Sequence, residues 1–314
     1  RQLGVGADGL IVCRTEPLTM DIINSDGSVA PMCGNGVRCF ARYCIEEGVV
    51  RADEKEFDVC TLAGVMRVRV SFGGNLSDGG SSGDFTAEVN GSHSGADPTC
   101  GNDAGSYRFA ELGDFTAEVD MGWPDWSARA AGIGDSYAGA GDEFLGRDVS
   151  VNIKSPLIGE NPGDAAGSSH DVRLSSFFLG TYHTVVWLDE NEWILGRGAD
   201  AAQSLYGSEA IDRVGRALES HPAFTERTNV DFARVTGGNA VEMITWERGV
   251  GLTAACGTGA CSVAALGIRE GRFDGSGEVR VALPYGELFI RVEGSGEVFM
   301  RGPAERVFDG EYFL

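Results

Sequence analysis

Two segments far apart in this chain repeat one pattern. Cys33-Gly34-Asn35-Gly36 and Cys256-Gly257-Thr258-Gly259 each set a cysteine before Gly-x-Gly, and each runs into a helical periodicity. In the first, Val37, Phe40, Ala41, Cys44 and Ile45 fall at i, i+3, i+4, i+7 and i+8. In the second, Ala260, Val263, Ala264, Gly267 and Ile268 take the same offsets. The spacing predicts helices over 35–47 and 258–270, each stopped by a glycine, Gly48 or Gly271, fifteen residues after its cysteine. Glycine suits the left-handed residue that follows a helix end. A chain with this echo folds as two related halves, each opening a helix at a cysteine.

That arrangement carries chemistry. The first N–H groups of a helix lack intrahelical partners and form the positive end of its dipole. A thiol there is expected to ionise more readily, and flanking glycines let the same N–H groups approach a bound carboxylate. Two such ends around one cavity suit stereochemical inversion. One thiolate removes a proton from a carbon while the opposite thiol delivers one to the other face. The α-hydrogen of an amino acid is very weakly acidic, so helix-end N–H groups in a water-excluded site would have to support the carbanion. Such a pair is expected to titrate as a coupled unit with pKa values near neutrality.

Composition narrows the partners. With 47 acidic against 25 basic residues the net charge is −22. A surface of that sign repels phosphate backbones and anionic lipid, so neither nucleic acid nor membrane is an expected partner. No apolar run approaches the roughly 20 residues of a membrane span, and no signal-peptide pattern opens the sequence as given. The eight cysteines include no Cys-x-x-Cys, and the four histidines (His93, His170, His183, His221) sit near no cysteine pair. No zinc site and no cofactor motif is therefore expected, and most cysteines read as small reduced hydrophobes.

Elsewhere period-two alternation predicts strands at 65–70, 278–283 and 288–292, with a more buried one at 185–188 and a third helix near 209–219. Strands predominate, giving an α+β protein of mostly antiparallel sheet. Residues 73–106, rich in Gly, Ser, Asp and Asn, read as a flexible insertion, and 159–169 as a second loose stretch. Gly-Asp-Phe-Thr-Ala-Glu-Val occurs at 83–89 and again at 113–119; the second copy runs into Asp120-Met121-Gly122-Trp123-Pro124 and is taken as the sheet strand.

Several motifs resemble the diaminopimelate epimerase family. They are Ile23-Asn24-Ser25-Asp26-Gly27-Ser28, Met32-Cys33-Gly34-Asn35-Gly36-Val37-Arg38-Cys39, Gly4-Val5-Gly6-Ala7-Asp8-Gly9-Leu10, and Glu247-Arg248-Gly249-Val250-Gly251 ahead of Ala255-Cys256-Gly257-Thr258-Gly259-Ala260-Cys261. The likeness runs in order along nearly the whole chain and fails mainly at 73–106. Asn35 stands where proline-racemase relatives usually have histidine.

The resemblance implies two pseudo-symmetric domains, 1–121 with 303–314 and 122–302, each mostly antiparallel sheet around a central helix, with the active site in the cleft between them. It implies a cytoplasmic, cofactor-free homodimer that interconverts LL- and meso-diaminopimelate for lysine and peptidoglycan synthesis. Cys33 and Cys256 would be the acid/base pair. Gly34, Asn35, Gly257 and Thr258 would offer N–H groups to the reacting carboxylate, and Asn24, Thr181 and Asn229 would bind substrate. Glu247 would meet the α-amino group and Arg248 the distal carboxylate, while His183 and Glu247 would tune the thiols.

Two departures stand out. Gly180-Thr181-Tyr182-His183 replaces the family's Gly-Asn-Pro-His, so a threonine takes the place of a substrate-binding asparagine. The chain opens Arg1-Gln2-Leu3-Gly4, without the family's first strand, and reads as starting inside a longer protein. Two alternatives stay open: a racemase of another amino acid on the same fold, and a non-catalytic protein whose two thiols form a redox switch.

Overall fold

The computed structural model describes residues 9–24, 27–72, 114–138, 142–153, 168–195 and 205–307. The 73–106 insertion, the heptapeptide copy at 83–89, the motif at 4–8 and nearly all of 159–169 lie outside the described residues.

The first part of the chain forms strands β1 (Gly9–Thr15), β2 (Leu18–Asn24) and β3 (Val29–Ala30), then helix α1 (Gly34–Glu46). Strands β4 (Glu56–Thr61), β5 (Gly64–Phe72) and β6 (Phe115–Asp120) follow, then a single helical turn, α2 (Asp135–Ala138). Next come β7 (Phe144–Ile153), β8 (Ser168–Leu179), β9 (Thr181–Trp187), helix α3 (Glu209–Glu219), β10 (Asn229–Gly237), β11 (Ala240–Glu247) and β12 (Gly251–Thr253). Helix α4 (Gly257–Arg269) precedes β13 (Val279–Leu283), β14 (Gly286–Val292) and β15 (Val298–Pro303). Every predicted strand and helix is present, the helices starting one residue early at the two cysteines. Gly48 and Gly271 have φ of +67° and +73°, the left-handed stop the sequence required.

The strands share one sheet in the order β1-β2-β4-β5-β6-β15-β14-β13-β11-β10-β9-β8-β7. Most ladders are antiparallel, as expected for this α+β chain. Among the described residues the parallel pairs are β2 with β4, β9 with β10 and β11 with β13. Each of these three pairs is bridged by one long helix, because parallel neighbours need a crossover. The sequence echo is thus also a topological one. Cys33 lies on the crossover from β2 through α1 to β4, and Cys256 on the crossover from β11 through α4 to β13. Strand β15 joins the two parts of the sheet, with Phe299 opposite Asp120 on β6 and Arg291 on β14.

Period-two alternation sorts β9, β10 and β11 into two faces. Val186, Leu188, Val230, Phe232, Ile244 and Trp246 face one core with Ile211, Val214 and Leu218 of α3. Val185, Trp187, Ala233 and Met243 face the other core with Ala260, Val263 and Ala264 of α4. That second core also holds Val37, Phe40 and Ala41 of α1, so both cysteine-bearing helices grow from one continuous apolar mass. α4 is buried nearly all round, which suits its almost wholly apolar sequence.

Candidate active site

Cys33 and Cys256 are the N-caps of α1 and α4, both in extended backbone, with φ of −145° and −126°. Cys33 is exposed, and its Sγ accepts from Gly36 N at 3.4 Å. Cys256 is buried, and its Sγ lies 3.5 Å from Thr258 Oγ1.

The glycines beside them bring the two helix ends together. A Cβ on Gly257 would lie 3.3 Å from Asn35 Oδ1 and 3.0 Å from Met300 Sδ. A Cβ on Gly34 would lie 2.7 Å from Met300 Cε, so Met300 of β15 wedges between the two cysteine turns. Gly180, at φ +70° in the turn before Thr181, faces both Met32 Cε and Thr258 Cγ2 at 3.4 Å from its Cβ position. The expectation that these glycines serve approach to a ligand is refined: Gly34, Gly257 and Gly259 are needed first for packing of protein on protein.

Below the head of α4, the sheet face that packs on this helix turns polar. His183 of β9 pairs in register with Asn229 of β10, and Asp231 of β10 with Thr245 of β11. His183 Nδ1 is 2.7 Å from Asp231 Oδ2, and Thr245 Oγ1 donates to Asp231 Oδ1 at 2.8 Å. The His183 and Asp231 side chains have no exposed surface. Asp231 was missed in the sequence. The available signal was a carboxylate between Val230 and Phe232, on the face that Ala233 continues into the core.

Glu247 ends β11 and accepts from Thr253 Oγ1 at 2.7 Å. Arg248 follows on an exposed turn. Its N donates to Asn229 Oδ1 at 2.8 Å, its guanidinium donates to Glu226 O at 2.8 Å and lies 5.2 Å from the Tyr182 ring centre. Thr181, Asn229, Glu247, Arg248, His183 and Thr258 thus cluster on adjoining elements around the α4 N-terminus. Asn24 behaves differently. Its Nδ2 donates to Ser28 Oγ at 3.0 Å and its N to Ser28 O at 2.8 Å, so its side chain closes its own turn.

The expected thiol ionisation does not hold at Cys256. Burial, reinforced by the Glu247 and Asp231 carboxylates, pushes this thiol well above its ordinary 9.0. Magnitudes decide the outcome: a helix end contributes up to about 2 kcal/mol, whereas removing an ion from water costs several kcal/mol. Glu247 is raised as well, by burial and then by Asp231, against the Thr253 hydrogen bond. Among the described residues no group of His, Cys, Asp and Glu could hold a metal ion.

Known proteins resemble this chain over most of its length. A family model described as diaminopimelate epimerase matches residues 1–82 and 180–307. The unmatched interval is wider than the 73–106 stretch singled out from sequence. A diaminopimelate epimerase from Pelotomaculum thermopropionicum is 32% identical, over 99% of this chain and 85% of the relative. One from Desulforudis audaxviator is 34% identical, over 99% and 86%. A crystal structure of a hydroxyproline epimerase from Agrobacterium vitis shares the fold with a TM-score of 0.52 at 14% identity, over 91% of this chain and 68% of that one.

Proposed function

This chain belongs to the diaminopimelate epimerase family, and on that premise we propose that it interconverts LL- and meso-diaminopimelate with two cysteines and no cofactor. The observation that carries the reading is the meeting of two cysteine-capped helix ends, with Gly257 against Asn35 and Gly180 against both Met32 and Thr258. Cys256, kept protonated by burial and two nearby carboxylates, delivers a proton to one face of the α-carbon. Cys33 removes the α-proton from the other face, and the reverse reaction exchanges these roles. Backbone N–H groups at Gly34, Asn35, Gly257 and Thr258 take the reacting carboxylate, where the developing negative charge needs donors fixed in advance.

Arg248, exposed and steered over Tyr182, suits the distal carboxylate; Thr181, Asn229 and Glu247 complete the substrate contacts, while the Asn24 side chain closes its own turn on Ser28. The halves 1–121 with 303–314 and 122–302 would be its two domains, in a cytoplasmic homodimer serving lysine synthesis. Incubation with diaminopimelate in deuterium oxide tests the proposal. The protein should incorporate α-deuterium without added pyridoxal phosphate, and Cys33→Ser and Cys256→Ser should each abolish it. No exchange at high enzyme concentration overturns the assignment.

A further inference from the structure

The chemistry above uses Asp231 only as a charge near Cys256, yet the residue is fully buried, at 0% exposure. A buried carboxylate is retained only when its oxygens are hydrogen-bonded. Here each oxygen has its own donor: Thr245 Oγ1 to Oδ1 at 2.8 Å, and the His183 ring to Oδ2 at 2.7 Å. The first turn of α4 rests on the same group, since a Cβ on Gly259 would lie 2.4 Å from Asp231 Oδ1. A carboxylate can only accept, so the nitrogen facing it carries the proton, and the other ring nitrogen of a neutral imidazole must then be an acceptor. That other nitrogen, His183 Nε2, is buried and has no hydrogen-bond partner among the described residues.

We propose that Asp231 is a positioning residue: with Thr245 behind it, it holds His183 as the Nδ1-protonated tautomer and keeps Nε2 as a bare acceptor at the head of α4. The inference rests on the epimerase reading above for its consequence, not for its geometry. In that reading a bare Nε2 can take up a proton during turnover, which an Nε2–H ring cannot do. Asn at 231 offers an amide donor to Nδ1 and would drive the proton to Nε2.

The test is nitrogen NMR of histidine-labelled protein without substrate at pH about 8, where imidazole is largely neutral. His183→Gln assigns the His183 signals among the four histidines. The wild type should show a protonated Nδ1 and an unprotonated Nε2, and Asp231→Asn should reverse them. In α-proton exchange, Asp231→Asn should lower kcat on the order of 10²-fold, in the range of a positioned proton-handling group, with KM changed less than about threefold. Thr245→Val, which keeps the His183–Asp231 contact, should keep the tautomer and lose less than about tenfold.

A proton on Nε2 in the wild type, or an Asp231→Asn protein with unchanged tautomer or unchanged kcat, overturns the proposal. Should Asp231→Asn not fold, the wild-type spectrum and Thr245→Val decide it. A wild type inert toward diaminopimelate refutes the epimerase reading instead, and the spectra still decide whether Asp231 sets the ring.

Discussion

Gly259 sits directly on Asp231: a Cβ there would come within 2.4 Å of Oδ1 and 3.0 Å of Thr245 Oγ1. Neither neighbour can give way, because the carboxylate is held by His183 on one side and Thr245 on the other. Gly259→Ala should therefore lower stability by about 1–3 kcal/mol, the usual penalty of overpacking a filled core. Gly286, which has nothing among the described residues within 4 Å of its Cβ position, provides the control, and Gly286→Ala should leave stability nearly unchanged. Urea midpoints of the two variants check this, and equal midpoints contradict it.

Much of this architecture was legible because it is written in local pattern. The i, i+3, i+4 spacing after Cys33 and Cys256, and the stop glycines Gly48 and Gly271, are properties of single helices and survive without tertiary knowledge. Asp231 was not legible for the opposite reason. Its role comes from β9, β10 and β11 lying side by side, and nothing local in Val230-Asp231-Phe232 says that His183 is its neighbour. The raised Cys256 thiol was hidden likewise, since a helix end can be read from sequence but the depth at which it is buried cannot.

Arg38 ties the first cysteine turn to β15. Its guanidinium is buried and donates to Pro303 O at 3.2 Å and Asn35 Oδ1 at 3.1 Å. Arg38→Met would leave both acceptors without that donor, so a loss of about 1.5–3 kcal/mol is expected, the range for hydrogen bonds to a charged group. Arg38→Lys should recover little of it, because one ammonium cannot span acceptors arranged for a planar fork. Guanidinium unfolding of the three proteins is the measurement, and a lysine variant as stable as the wild type would count against the fork.

Among the described residues, three buried thiols set an alkaline limit. Burial raises Cys44, Cys256 and Cys261 above the ordinary 9.0, with Cys13 adding to the effect at Cys44 and Glu247 and Asp231 at Cys256. A group whose folded value is raised contributes stability that is complete below its unfolded value and is lost as pH rises through the folded one. Unfolding free energy should thus fall once pH passes about 9, where unfolded thiols ionise and buried ones do not. Removing the Glu247 charge should pull the Cys256 thiol down, so in Glu247→Gln its alkylation should begin at lower pH than in the wild type. Mass-spectrometric mapping of iodoacetamide adducts across a pH series reads this, and an unmoved midpoint would show that the carboxylate has no part in the shift.

Glu219 braces the turn that carries Glu247 and Arg248, beside the contact from Arg248 N to Asn229. Glu219 Oε2 accepts from Trp246 Nε1 at 2.8 Å, and Oε1 accepts from Gly249 N at 2.8 Å and from Arg227 at 3.2 Å. Trp246 is itself fixed, since the Cβ position of Gly215 in α3 is only 2.8 Å from its side chain. Burial alone would raise Glu219, but these three donors together hold it below the usual 4.5. A depressed folded value contributes stability that is present above 4.5 and lost as pH falls through the folded value. Glu219→Gln should therefore cost about 1–3 kcal/mol at neutral pH, through weakened hydrogen bonds to a charged acceptor, and show a flatter decline in acid than the wild type. Because the loosened turn holds Arg248, the variant should also raise KM for diaminopimelate more than it lowers kcat. Steady-state exchange rates beside acid-unfolding curves check both halves, and a kcat loss at constant KM would place Glu219 in the chemistry rather than in the turn.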